Sequence, residues 1–132
     1  MQTDTEIEDI IYRHLKETEL ASEVNGTIYK NGERPAGRQS EDIVIHVLAN
    51  VVDSVQKAIV LVNIYTQDVK RDDALVRNDP RFKQLAQLGK NALEWVNQGI
   101  NKWKVEEQTS IDAETDEHII QFKLIYKHLN SN

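Results

Sequence analysis

A single α+β domain, with a mostly antiparallel sheet of about four to five strands, an N-terminal helix and one long central helix, is what this sequence predicts. Three observations predict it. Two apolar runs rich in β-branched residues, 43–48 (IVIHVL) and 58–65 (AIVLVNIY), read as strands covered on both faces. One long stretch of helical spacing follows both runs rather than separating them. No strand–helix–strand repeat is present, so the order α-β-β-β-α-β-β gives an antiparallel sheet with helices packed against it. A chain of 132 residues suits one domain, 1–132, which buries roughly two-thirds of the surface its unfolded form exposes.

Taken in order, Ile7, Ile10, Ile11, His14 and Leu15 mark one helix face, and Thr5 with Glu8 has the form of a capping box, which predicts a helix over 6–18. Its other face, Glu6, Asp9, Arg13, Lys16 and Glu17, reads as solvated charge. Residues 27–30 are a short strand. Asn31-Gly32 favours a tight hairpin turn, but a second strand cannot follow directly, because Pro35 has no N–H for a ladder and Gly37 has no side chain to pack. The segment 33–40 is therefore a polar, basic loop. Asp53-Ser54 lies where the chain reverses between the two apolar strands.

Residues 66–78 form a charged connection ending in Asn78-Asp79-Pro80, with Asp79 as N-cap and Pro80 at the first helical position. Phe82, Leu85, Ala86, Gly89, Ala92, Leu93, Val96, Gly99, Ile100 and Trp103 then recur at helical spacing, a helix of about 24 residues or roughly 36 Å. Gly89, Ala92 and Gly99 on that stripe would let another backbone approach closely. Residues 104–111 alternate weakly, 112–116 turn, and 118–128 alternate well, which predicts two more strands. Disorder is expected at the chain ends alone.

The composition narrows function chiefly by exclusion. Cysteine is absent, which removes disulfides and thiolate metal sites. The acidic first residues are unlike a secretory leader, and no apolar run approaches the ~18 residues of a membrane span. These features predict a soluble, cytoplasmic protein. The net charge of −6 lacks the footprint of a nucleic-acid binder, although 79–104 is locally basic through Arg81, Lys83, Lys90, Lys102 and Lys104.

His14, His46, His118 and His128 have no ligand spacing and read as structural or surface residues. Asp72-Asp73 and the acidic run at 112–117 read as solvated turns, because they lack the glycine and terminal glutamate of a calcium loop. Trp95 and Trp103 read as core residues of the long helix. No nucleophile–base pair and no phosphate-cradling loop is present, so the sequence predicts no enzyme, no catalytic residue, no metal and no cofactor.

Two strands apolar on both faces need cover on both sides. Either two helices sit on opposite faces, or another copy of the chain covers what they leave. The candidate subunit interface is Val44, His46, Leu48, Val60 and Val62, with Lys70 and Arg71 from the charged connection.

The helix at 7–15, the stretches Gly26-Thr27-Ile28-Tyr29, Arg34-Pro35, Glu41-Asp42-Ile43-Val44-Ile45 and Val62-Asn63-Ile64-Tyr65, the start Asp79-Pro80-Arg81-Phe82 and the last strand through Tyr126 together resemble the tail-completion proteins of tailed bacteriophages, the tail terminators or head–tail joining proteins. The resemblance spans nearly the whole chain and rests on packing and turn signals. It implies a homo-oligomeric ring, usually of six subunits, that caps the tail tube, stops its growth and joins it to the head connector. The implied locations are the host cytoplasm during assembly and then the neck of the virion. On that reading Arg34, Pro35 and Arg38 form a contact loop, the arginines pairing with carboxylates on the next protein. The alternative is an acidic interaction module of the inhibitor or immunity type, using Glu17, Glu19, Glu23 or the 112–117 turn against a basic partner.

Overall fold

Residues 1–129 are described by a computed structural model, and the disorder expected of 130–132 lies outside them. The N-terminus is ordered, contrary to expectation: Gln2 exchanges hydrogen bonds with Gln56 and accepts one from the Tyr126 hydroxyl at 2.7 Å. Helix α1 (Asp4–Lys16) therefore starts two residues before the predicted position, with Thr3 as N-cap accepting from Glu6 N–H. A short α2 (Glu19–Glu23) and β1 (Ile28–Lys30) follow. Then come β2 (Ile43–Val51), β3 (Val55–Gln67), β4 (Val69–Arg71), β5 (Ala74–Val76), α3 (Asp79–Leu93), β6 (Trp95–Asn97), β7 (Asn101–Asp112) and β8 (Glu117–Leu129).

The predicted four-to-five-stranded antiparallel sheet is overturned. Strand outweighs helix by 46% to 26%, and the main sheet is curled, mixed and six-stranded, ordered β1-β2-β3-β8-β7-β6. Three departures explain the difference. First, β1 pairs with β2 in parallel, because the intervening loop carries the chain back to the end from which it left. Second, the charged connection holds a separate hairpin, β4–β5, closed by Asp72 and Asp73, both at positive φ (50° and 65°). Aspartate tolerates that region, but two in succession are a weaker turn signal than Asn-Gly.

Third, the long helix stops at Leu93. Gly99, at φ 84°, then turns a hairpin in which Val96 pairs with Trp103. Those residues are seven apart, a separation that fits two helical turns as well as a cross-hairpin pair. Trp103 consequently enters the core from a strand, whereas Trp95 is exposed.

Both long helices lie on one face of the sheet. Ile7, Ile11 and Leu15 of α1 and Leu85 and Leu93 of α3 share a single core with Ile43, Ile45, Val60, Val62, Ile64, Phe122, Leu124 and Tyr126. Gly89 sets the depth of α3 on that face. A Cβ built there would meet Phe122 Cε2 at 2.5 Å and Ile64 Cδ1 at 3.0 Å, so the close approach expected of this glycine is made to the chain's own sheet. Gly89→Ala is expected to gain about 1 kcal/mol in helix propensity and lose about 2 kcal/mol to overpacking, a net fall visible as a lower urea midpoint.

Candidate interaction surfaces

Glu41 and Asp42, adjacent and buried, send their carboxylates to different clamps. Asp42 faces the loop. Its Oδ2 accepts from Arg34 Nε at 2.9 Å, Arg38 Nε at 2.9 Å and Ser40 Oγ at 2.8 Å, while Oδ1 accepts from Thr27 N–H at 2.8 Å. Arg34 reaches on to Glu117 at the start of β8, 2.8 Å away, and lies over the Tyr65 ring at 3.6 Å. It also donates to the Arg38 carbonyl at 2.9 Å, so one guanidinium closes the loop and pins it across the sheet. Gly26 runs so close beneath that a Cβ would stand 2.2 Å from Asp42 Oδ1.

Glu41 faces α3. It is gripped by two bonds from Arg81, each 2.7 Å, and Arg81 also holds the Glu23 side chain and carbonyl, joining α2, α3 and the start of β2. The Arg81 bonds hold the Glu41 carboxyl below the usual carboxylate range despite burial. At Asp42 burial works against ionisation, but the bonds from Thr27, Arg34, Ser40 and Arg38 together outweigh it and its pKa also falls. Burial opposes the Arg34 charge too, and its pairing with Glu117 and Asp42 outweighs that.

These contacts revise the contact-loop expectation. Arg34 and Arg38 spend their guanidinium groups on carboxylates of their own chain, and Pro35 stands at the turn between them. The interface candidates also divide. Val60 and Val62 are fully buried on the helix-covered face, so a subunit partner does not reach them. Val44 and His46 are half-buried on the opposite face, and Leu48 there is 56% exposed. Lys70 and Arg71 sit apart, on the exposed β4–β5 hairpin.

That opposite face is covered at one end by the pinned loop, and neither α1 nor α3 covers the rest. Across it run Val44, His46, Ile59, Leu61, Asn63 and Ile125, all half-buried or on strands where the alternate residue is core. Two side-chain atoms there, His46 Nδ1 and Asn63 Oδ1, have no hydrogen-bond partner among the described residues. The other histidines are bonded separately: His14 to the Ala92 carbonyl, His118 to Asp68 and His128 to Asn101. Among the described residues no group of three His, Cys, Asp or Glu side chains could hold a metal ion, and no helix is long and apolar enough to cross a membrane.

The predicted basic second helix dissolves in the same way. Lys102 and Lys104 lie on β7, and Arg81 is consumed in its clamp. The Glu41/Asp42 divergence is the feature sequence reasoning missed. Its trace was present as two adjacent acids before an apolar strand, with arginines four and eight residues upstream. Compared with models of known protein families the chain matches none, and no curated protein sequence matches it.

Proposed function

We propose that this protein is a structural subunit that assembles with copies of itself into a ring, capping a phage tail tube and joining it to the head connector. The observation that carries self-assembly is the helix-free face of the sheet, where Val44, His46 and exposed Leu48 lie beside Leu61 and Ile59. An apolar sheet face left half-wet is stabilised by a second protein surface, and identical subunits supply it most simply. The sheet edges suit a repeating contact as well. β1 covers β2 only over Ile43–Ile45, and β6 covers β7 only over Lys102–Lys104, so β2 and β7 each have a half-open edge on opposite sides of the molecule. A head-to-tail contact between unlike edges generates a ring when the rotation closes. The assignment to tail completion rests on the resemblance of the local sequences above.

Light scattering of the intact chain over a range of concentrations tests this, with Leu48→Asp as the comparison. The expected result is a species several times the 15.2 kDa chain mass, ring-shaped in electron micrographs, which Leu48→Asp reduces to monomer with its fold intact. A wild-type chain that stays monomeric up to millimolar concentration counts against the ring.

A further inference from the structure

Lysines crowd one end of the helix-free face. Lys57 on β3, Lys127 on β8 and Lys102 on β7 stand directly opposite one another in successive register pairs. The row continues to Val51 on one side and Asn97 on the other, with no carboxylate in it. Lys104 stands on the same face one same-face position further along β7, and Lys123, two such positions further along β8, lies opposite Glu107. None of the five makes an ion pair among the described residues, where Lys30, Lys70 and Lys90 all do. Like charges directly opposite on neighbouring strands destabilise a sheet, so folding alone gives no reason for the row.

The next row over is apolar except for Lys104: it runs Ile59, Ile125, Lys104 and then Trp95, which is 69% exposed. Ile125, Trp95, Val55 and Leu129 line a groove of about 450 Å³ walled by Lys102, Lys104 and Lys127.

We propose that this face is a docking site for an acidic, extended segment of a partner protein, with carboxylates on the lysine row and an aliphatic side chain in the groove against Trp95 and Ile125. An extended segment running alongside β7, whose alternate residues stand about 6.8 Å apart, sets successive same-side carboxylates against Lys102 and Lys104, with Lys127 and Lys57 of the row flanking it on the neighbouring strands. A nucleic acid fits less well. The patch contains no arginine, its centre is an apolar groove, and the far end of the same β7–β8 hairpin carries Asp112, Glu114 and Asp116, which would repel a continuing phosphate backbone. The site shares the helix-free face and Ile59 with the proposed self-contact, and its test is separate because Leu48→Asp leaves the lysine row and Trp95 untouched.

The test is fluorescence anisotropy of a labelled extended peptide with Glu, Glu and Leu at successive alternate positions and Ser between them, so that all three face the same side, titrated with the full chain. Saturable binding is expected, weakened about tenfold by Lys102→Gln with Lys127→Gln and by salt at about 0.5 M. Trp95→Ala should weaken it as well. The double variant should melt no lower than the wild type, since a repulsion is relieved, which separates lost binding from lost fold. Equal binding by wild type and double variant, no binding by the wild type, or tighter binding of a single-stranded oligonucleotide of equal charge would each overturn the proposal.

Discussion

Asp42→Ala is expected to lower unfolding stability by about 3–5 kcal/mol, the range for removing one partner from a buried ionic network. The carboxylate is fully buried and serves four donors: the Thr27 N–H, the Arg34 and Arg38 Nε atoms and the Ser40 hydroxyl. Alanine leaves all four without it, and Arg34 keeps only Glu117 and backbone carbonyls as acceptors. A loss of this size is a large share of the ~5–15 kcal/mol that holds a domain together. Asp42→Asn keeps an oxygen for Thr27 but removes the charge, so an intermediate loss is expected. Urea midpoints of the three proteins check the order.

The same carboxylates set an acid limit. Asp42 and Glu41 have folded pKa values below their unfolded ones, so each contributes stability that is present above about pH 4 and lost as pH falls through the folded value. Stability of the wild type should therefore drop steeply below about pH 4, and Asp42→Ala should flatten that limb. Equal slopes for the two proteins would assign acid sensitivity to other groups.

Where the sequence was legible, one period and one environment agreed. Ile7, Ile11 and Leu15 read as a helix face and are one, and the alternation of 118–128 matches a strand with Ile120, Phe122, Leu124 and Tyr126 inward. It misled where two periods coincided, as at Val96 and Trp103, or where a turn used residues other than Asn-Gly, as at Asp72-Asp73. The parallel β1–β2 pair was not legible at all, because it depends on where the loop between the two strands returns the chain, and that loop is pinned by a contact 83 positions away, Arg34 to Glu117. The double-faced apolar character of 43–48 and 58–65 was read as a need for cover on both faces, and which face the helices leave open depended on both of them choosing the same side. Val60 and Val62 could not be told from Val44 by composition; strand parity alone separates them.

Trp103→Ala should also cost about 3–5 kcal/mol, by the cavity it leaves. The indole is 1% exposed, stacked with Tyr126 at 5.8 Å between centroids and edge-on to His14 of α1 at 5.2 Å. It thus connects the β6–β7 hairpin to the N-terminal helix. Losing it also loosens Tyr126, whose burial pushes its hydroxyl pKa up to about 12 and whose proton is given to Gln2. Phenylalanine tests the balance inside that site. Trp103→Phe removes part of the ring, but it also removes Nε1–H, which is buried and has no partner among the described residues. An unmet buried donor costs about 1–3 kcal/mol, so its removal offsets much of the lost contact. The expected order is wild type close to Trp103→Phe, both far above Trp103→Ala, in denaturant midpoints. If Phe fell as low as Ala, the indole N–H would be contributing a bond of its own, and the site would hold an acceptor that the surrounding side chains do not supply.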